Sequence, residues 1–308
     1  MSQVHNIAVT GFGEGTNDFY NRVRPSFPPE ALNKIYETIS SSILTGKHDW
    51  KIIEPGSGTG IFSRLLISNS PNYPRFPIGT LISVEPSKGM RDSWIKNLPL
   101  PSQEENLDKD TGKPKKVIEV VEGSFDDFSK VKQFGINNDN GNDDNKADAV
   151  IIAQAWHWCP DYEKALEEIA SYLKPNSPLI LIWNLESYIP EWQAKIRESY
   201  QPYDLGTPQY YKGWWKKMYE TKAYKDLFEE KEDYKTRWSI GLTEDVLIDR
   251  QFSKSYLTSA HLSSSDREIL ETKMRNIIKS AEHEWVDKDN GIFKFQYETD
   301  VVILRRKS

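Results

Sequence analysis

The chain has 308 residues, 37% of them hydrophobic, enough for one large core or a core with a modest cap. Its 46 acidic and 40 basic side chains leave a formal charge of -6, which argues against a broad cationic surface for nucleic acid or anionic lipid. A single cysteine, Cys159, rules out an intrachain disulfide and leaves a cysteine-based zinc site short of ligands.

The N-terminus, MSQVHNIAVTGFGEG, has neither a basic nor a continuous apolar stretch. No apolar run approaches the roughly twenty residues that span a bilayer, so the expectation is a soluble cytoplasmic protein without membrane contact. From Pro29 to Leu44, Ala31, Leu32, Ile35, Ile39 and Ile43 recur at helical spacing behind a Pro-Pro start. WKIIEPGSGTGIFSRLLIS then reads as strand, tight loop and helix. The pattern repeats: TLISVE is a strand followed by a helix from Lys88 to Asn97, KVIEVVEG a third strand, ADAVIIAQAW a fourth, Tyr162 to Leu173 a helix and PLILIWN a fifth strand.

Short, nearly all-apolar strands alternating with amphipathic helices describe an α/β fold, a doubly wound and mostly parallel sheet covered on both faces. Two polar stretches, PLPSQEENLDKDTGKPKK and NNDNGNDDNK, interrupt it as solvated insertions. Beyond Asn184 the alternation stops. Aromatic helical segments follow from about Pro190 to Glu230, then a strand in YKTRWSIGL, a helix from Asp266 to Trp285 and a long final strand. The division expected is an N-terminal segment (1–45), a nucleotide-binding core (46–186), an aromatic helical cap with one sheet strand (187–290) and a terminal strand completing the sheet (291–308).

The loop EPGSGTG sets Glu54 beside Gly56, Gly58 and Gly60 at a strand-to-helix turn, where glycines permit close backbone approach and the helix N-terminus offers free N–H groups. Ile61 and Phe62 follow Gly60 where a P-loop needs lysine and Ser or Thr, so that reading fails. A dinucleotide would bring its phosphates toward Glu54, and like charges at about 5 Å cost on the order of 1 to 3 kcal/mol at a partly exposed site. S-adenosylmethionine carries an ammonium and a sulfonium, for which the same carboxylate is favourable, and the spacing is GxGxG rather than GxGxxG. Glu85, at the end of the second strand, can accept from ribose hydroxyls, which supports a nucleoside without choosing which.

Glu54-Pro-Gly-Ser-Gly-Thr-Gly60, Val84-Glu85-Pro86-Ser87 with Met90, Glu122-Gly123-Ser124-Phe125 and Gln154-Ala155-Trp156-His157-Trp158 together resemble, in order and spacing, the motifs of class I S-adenosylmethionine-dependent methyltransferases. The resemblance is to the small-molecule branch that contains the trans-aconitate methyltransferases and related fungal proteins, and it covers Phe19 to Asn184. It implies a seven-stranded sheet and S-adenosyl-L-methionine as cofactor. Glu54 and the glycine backbone would hold the methionine end, Glu85 the ribose, Pro86 and Met90 the adenine face, Ser124 and Phe125 its amino edge. Gln154 and Ala155 would lie beneath the sulfonium, and Tyr20 and Arg24 would close over the cofactor, Arg24 meeting its carboxylate. Ser124 stands where relatives often carry aspartate.

For the acceptor, His157 lies where open α/β sheets bind ligands and reads as a general base, as a cation orienting a carboxylate, or as a structural hydrogen-bonding group. No metal ligand set is evident, since Cys159 and His157 have no further partners in the pattern. Trp156, Trp158, Trp183, Asn184, Tyr211 and Trp215 are candidate pocket residues, with core packing the alternative for the tryptophans. The place after the fourth strand reads AQAWHW, not the Asn- or Asp-Pro-Pro-aromatic of amino-directed nucleic-acid enzymes, so a small-molecule acceptor and no nucleic acid are expected. A protein acceptor, or a cofactor-binding protein without turnover, are the alternatives, and no oligomeric state is set by the sequence.

Overall fold

The computed structural model describes residues 22–43, 49–99, 116–132, 134 and 145–308; Tyr20 and most of both polar insertions lie outside them. Helix α1 (Pro29–Ser42) opens on proline with Glu30 in its first turn, the arrangement its unpaired N–H groups favour. Strand β1 (Trp50–Pro55) runs through the glycine turn into α2 (Ile61–Leu66). Strand β2 (Ile78–Val84) leads to α3 (Lys88–Asn97), whose N-cap Ser87 accepts from the Met90 amide. Strand β3 (Val117–Val121), strand β4 (Ala149–Ala153), helix α4 (Tyr162–Tyr172) and strand β5 (Pro178–Glu186) complete the alternation. After these come α5 (Glu191–Tyr200), α6 (Lys222–Leu227), β6 (Glu232–Leu242), α7 (Glu244–Phe252), α8 (Ser264–Ser280), β7 (Trp285–Asp287) and β8 (Ile292–Arg305).

The strands form one sheet in the order β3-β2-β1-β4-β5-β8-β6, with β7 pairing β8. Strands β1 to β5 are parallel, and β8 runs antiparallel between β5 and β6. The doubly wound α/β reading holds, and the short β7 adds an eighth strand to the expected seven. Alternate residues feed opposite faces: Ile53, Ile152 and Leu181 pack on the α4 side, whereas Ile52, Ile151 and Ile182 pack with α1 on the other. Strand β8 outruns this double core, and Phe293, Phe295 and Tyr297 join Ile196, Leu247, Phe252, Leu270 and Met274 in a third cluster that forms the cap.

The helix expected over Asp266 to Trp285 ends at Ser280 instead. Leu270, Met274 and Ile278 bury its inner stripe, the backbone turns extended at Ala281, and Trp285 pairs with Phe293 in β7. The order β2-β1-β4 reverses direction between β1 and β4, so the carboxyl ends of β1, β2, β4 and β5 open on the crevice where such sheets bind ligands.

Candidate active site

At the end of β1, Gly56 has φ of 69°, and a Cβ there would stand 2.7 Å from the Ala155 Cβ, so the turn after β1 meets the turn after β4 through a position only glycine fills. Behind it Glu54 is fully buried; one of its oxygens, Oε2, accepts from the Ser63 hydroxyl and from the Ser83 hydroxyl at 3.0 Å. Its other oxygen, Oε1, is buried with no hydrogen-bond partner. Burial pushes the Glu54 carboxyl up to about 8, against the two serine bonds and the nearby Arg64, which pull it down.

Glu85 is also buried, its carboxylate accepting from the Gly58 amide at 2.9 Å and the Ser87 amide at 2.8 Å. Burial raises it to about 7. One side chain thereby fixes both the glycine turn and the start of α3, and its remaining lone pairs face the shared cavity. That cavity is lined by Glu54, Gly56, Gly58, Glu85, Pro86, Met90, Ser124, Phe125, Gln154 and Ala155, so the turns after β1, β2, β3 and β4 converge on one space. The Ser124 hydroxyl is bonded to Asp126 at 2.5 Å, placing a carboxylate two residues from where relatives often carry aspartate. Gln154 adopts φ of 59° and uses its side-chain amide as a backbone mimic, donating to the Asn184 carbonyl and accepting from the Asn184 amide at 2.9 and 2.7 Å.

The same cavity continues under the cap. Three contacts tie the N-terminal segment over it: Arg24 Nη2 to the Ser253 carbonyl at 3.1 Å, Arg250 Nε to the Val23 carbonyl at 2.7 Å and Asn184 Nδ2 to the Ser26 carbonyl at 2.9 Å. Arg197, Arg250 and Lys254 line this end with Arg24, His157, Trp158, Asn184, Tyr211 and Tyr256. Glu186 is the carboxylate among them, accepting from Lys254 at 2.9 Å and Tyr200 at 2.7 Å. Lys254 and Arg197 overcome its burial and hold it down at about 2. Burial lowers Lys254 to about 8. Arg197 and Arg250 are 7% and 6% exposed, and their hydrogen bonds go to neutral groups, the Glu186 and Val23 carbonyls and the Tyr297 hydroxyl.

Several sequence expectations need correction. Trp156, Trp183 and Trp215 are 0%, 0% and 3% exposed and belong to the sheet core, not to the cavity wall. The Trp156 indole donates to the Met218 sulfur, and Trp183 packs on Tyr210 and Trp215, because apolar rings this large gain most by complete burial. Gly60 is spent on packing: with φ of 81° its missing side chain leaves room for Trp94, 2.7 Å from where a Cβ would stand. His157 is neither a base nor a cation here. It is buried, burial lowers it to about 3, and its Nδ1 accepts from the Trp183 indole N–H at 3.2 Å. The cap residues Glu186, Arg197, Tyr200, Arg250, Lys254 and Tyr256 were not expected from the sequence; the i, i+4 pair of Arg250 and Lys254 was the only local signal.

A family model described as a methyltransferase domain matches residues 18–231. The chain belongs to this methyltransferase family. An uncharacterised methyltransferase of Mycobacterium tuberculosis is 25% identical over 237 residues, covering 77% of this chain and 74% of that protein. An uncharacterised methyltransferase-like protein of Schizosaccharomyces pombe is 24% identical over 200 residues, covering 65% of this chain and 62% of its own. Among solved structures, one from Anaeromyxobacter dehalogenans, assigned provisionally as a type II methyltransferase, aligns over 92% of this chain and 97% of its own with a TM-score of 0.52 at 12% identity, a likeness of fold.

The methyltransferase takes S-adenosylmethionine as its cofactor, and the buried, unpartnered Glu54 Oε1 fits that group, because it is an acceptor placed for an ammonium. Among the described residues no cluster of side chains fits a metal ion, and no helix is long and apolar enough to cross a membrane.

Proposed function

We propose that this methyltransferase methylates a small organic acid. The observation that carries the reading is the charge under the cap: Arg197, Arg250 and Lys254 line the cavity there with Glu186 as their carboxylate, which leaves cationic charge for an anionic acceptor to meet. Tyr210, Tyr211, Tyr256 and Trp158 supply the apolar wall beside it. The resemblance to the trans-aconitate branch supports the same acceptor class.

At the other end, Glu54 would take the ammonium, Glu85 the ribose hydroxyls, Pro86, Met90 and Phe125 the adenine, and Arg24 the cofactor carboxylate. S-adenosylmethionine supplies a methyl group already activated on a positively charged sulfur. The protein's part is alignment and exclusion of water, which the N-terminal segment and the cap perform by covering the cavity. A carboxylate acceptor enters as the nucleophile, so no side chain has to remove a proton, in keeping with the absence of a base at His157.

The test is transfer of labelled methyl from S-adenosylmethionine to succinate, glutarate, adipate and benzoate, each beside its amide. Labelled ester from an acid and none from its amide is expected. Equal labelling of amide and acid, or labelling of added protein alone, would overturn the reading.

A further inference from the structure

We propose that Trp183 is a positioning residue whose indole N–H holds His157 in the tautomer that offers its Nε2–H to the acceptor. The proposal rests on the acceptor reading above and concerns how the cavity presents its one imidazole.

An indole nitrogen can only donate. The 3.2 Å bond from Trp183 Nε1 therefore requires a lone pair on His157 Nδ1, and the neutral ring must carry its proton on Nε2. Protonating Nδ1 would set two N–H groups against each other. Burial is the sole cause that lowers the ring to about 3; Glu186, Arg197, Arg250 and Lys254, which share the cavity lining, do not contribute to the shift. Among the described residues Trp183 is the hydrogen-bond partner of His157, so Nε2–H is left for whatever enters the cavity that His157 lines.

Trp183 is itself fixed. It sits in β5 between β4 and β8, fully buried, with Tyr210 and Trp215 each 4.8 Å away, ring to ring. Tyr210 donates to Asp300, which pairs with Trp183 across the β5–β8 register. A swing of the indole would break this packing, so the direction of its N–H is set by the sheet. A purely structural histidine would have both nitrogens satisfied by protein; this one has a single bond and a place on the cavity wall. A neutral N–H donor suits an oxygen of an acid that must remain unprotonated, since it orients the group without giving up a proton.

The experiment is histidine-selective ¹⁵N NMR on the wild-type protein and Trp183→Phe between pH 5 and 8. It is joined to acceptor KM for whichever acid of the four-acid panel turns over fastest, with calorimetric affinity for S-adenosylhomocysteine. In the wild type His157 should show the Nε2–H pattern and not titrate. Trp183→Phe should give mixed tautomers and a KM raised at least threefold with cofactor affinity unchanged. His157→Phe should raise KM by about ten- to a hundredfold, the loss of one bond to a charged acceptor, while His157→Gln, which retains an N–H donor, should recover most of it. A wild-type His157 that titrates near its ordinary value, a dominant Nδ1–H tautomer, or a His157→Phe enzyme with unchanged KM would overturn the proposal. If Trp183→Phe fails to fold, the wild-type spectrum and the His157 pair still decide. If no acid is methylated, the acceptor reading falls, and the spectra still tell whether Trp183 sets the tautomer.

Discussion

Cofactor binding should release a proton, and Glu54 is the group that releases it. With the carboxyl at about 8 in the free protein, about nine-tenths of the molecules carry the proton at pH 7. An ammonium brought to the unpartnered Oε1 favours the ionised form and drives the proton off. Each pH unit below 8 therefore costs about 1.4 kcal/mol of binding, roughly tenfold in Kd. Above about 8 the cofactor's own α-amino group begins to lose charge, so affinity should peak near that pH. Calorimetry at pH 7 in buffers of different ionisation enthalpy should find most of one proton released, the release falling to zero near pH 8 and turning to net uptake by pH 9, where the cofactor's amino group must regain its proton to bind. Glu54→Gln should bind more weakly and lose the acidic limb. An unchanged proton release in Glu54→Gln, or none in the wild type between pH 6 and 7.5, would refute the assignment of this carboxyl.

Other outcomes follow from the same groups. Glu54 and Glu85, at about 8 and 7 when folded, lie above their ordinary 4.5, so their stabilisation is full below 4.5 and lost as pH rises through the folded values. Above about pH 7, where His157 is mostly neutral folded or unfolded, the cofactor-free protein should lose about 1 kcal/mol by pH 8 from Glu54 alone, seen as a falling Tm that Glu54→Gln flattens. Glu85→Ala leaves the Gly58 and Ser87 amides without their acceptor and should cost about 2 to 4 kcal/mol, lowering Tm by several degrees as well as weakening the cofactor. Gly56→Ala meets Ala155 and a positive φ together, so cofactor affinity should fall at least tenfold in a titration. Arg197→Met should raise acceptor KM at least tenfold in steady-state assays while S-adenosylhomocysteine affinity stays within twofold.

The core was legible because each strand is a continuous apolar run, and the helix at Lys88–Asn97 has the bounds its sequence predicts. The convergence of the glycine turn and the turns after β2, β3 and β4 on one cavity was legible for a related reason: they fall in four short motifs at strand ends, so sequence order and spatial order agree. The end of the cavity under the cap was not. Glu186, Arg197, Arg250 and Lys254 come from β5, α5, α7 and the turn after α7, and only the folded cap brings them together. Trp156, Trp183 and Trp215 misled for the opposite reason, since an aromatic residue near a strand end can face either the core or the crevice and local spacing does not say which. Trp285 lies beyond the end of its helix because it pairs with Phe293 across the short β7–β8 hairpin, a contact that helical spacing does not register.

The central claim meets its most direct test when the purified protein and methyl-labelled S-adenosylmethionine are incubated with a metabolite extract, afterwards separated into acidic, neutral, basic and macromolecular fractions. The label should pass from the acidic compounds into neutral or less acidic methyl esters and be released as methanol by mild alkali. Label that resists alkali, or that enters only amines or macromolecules, would contradict the account.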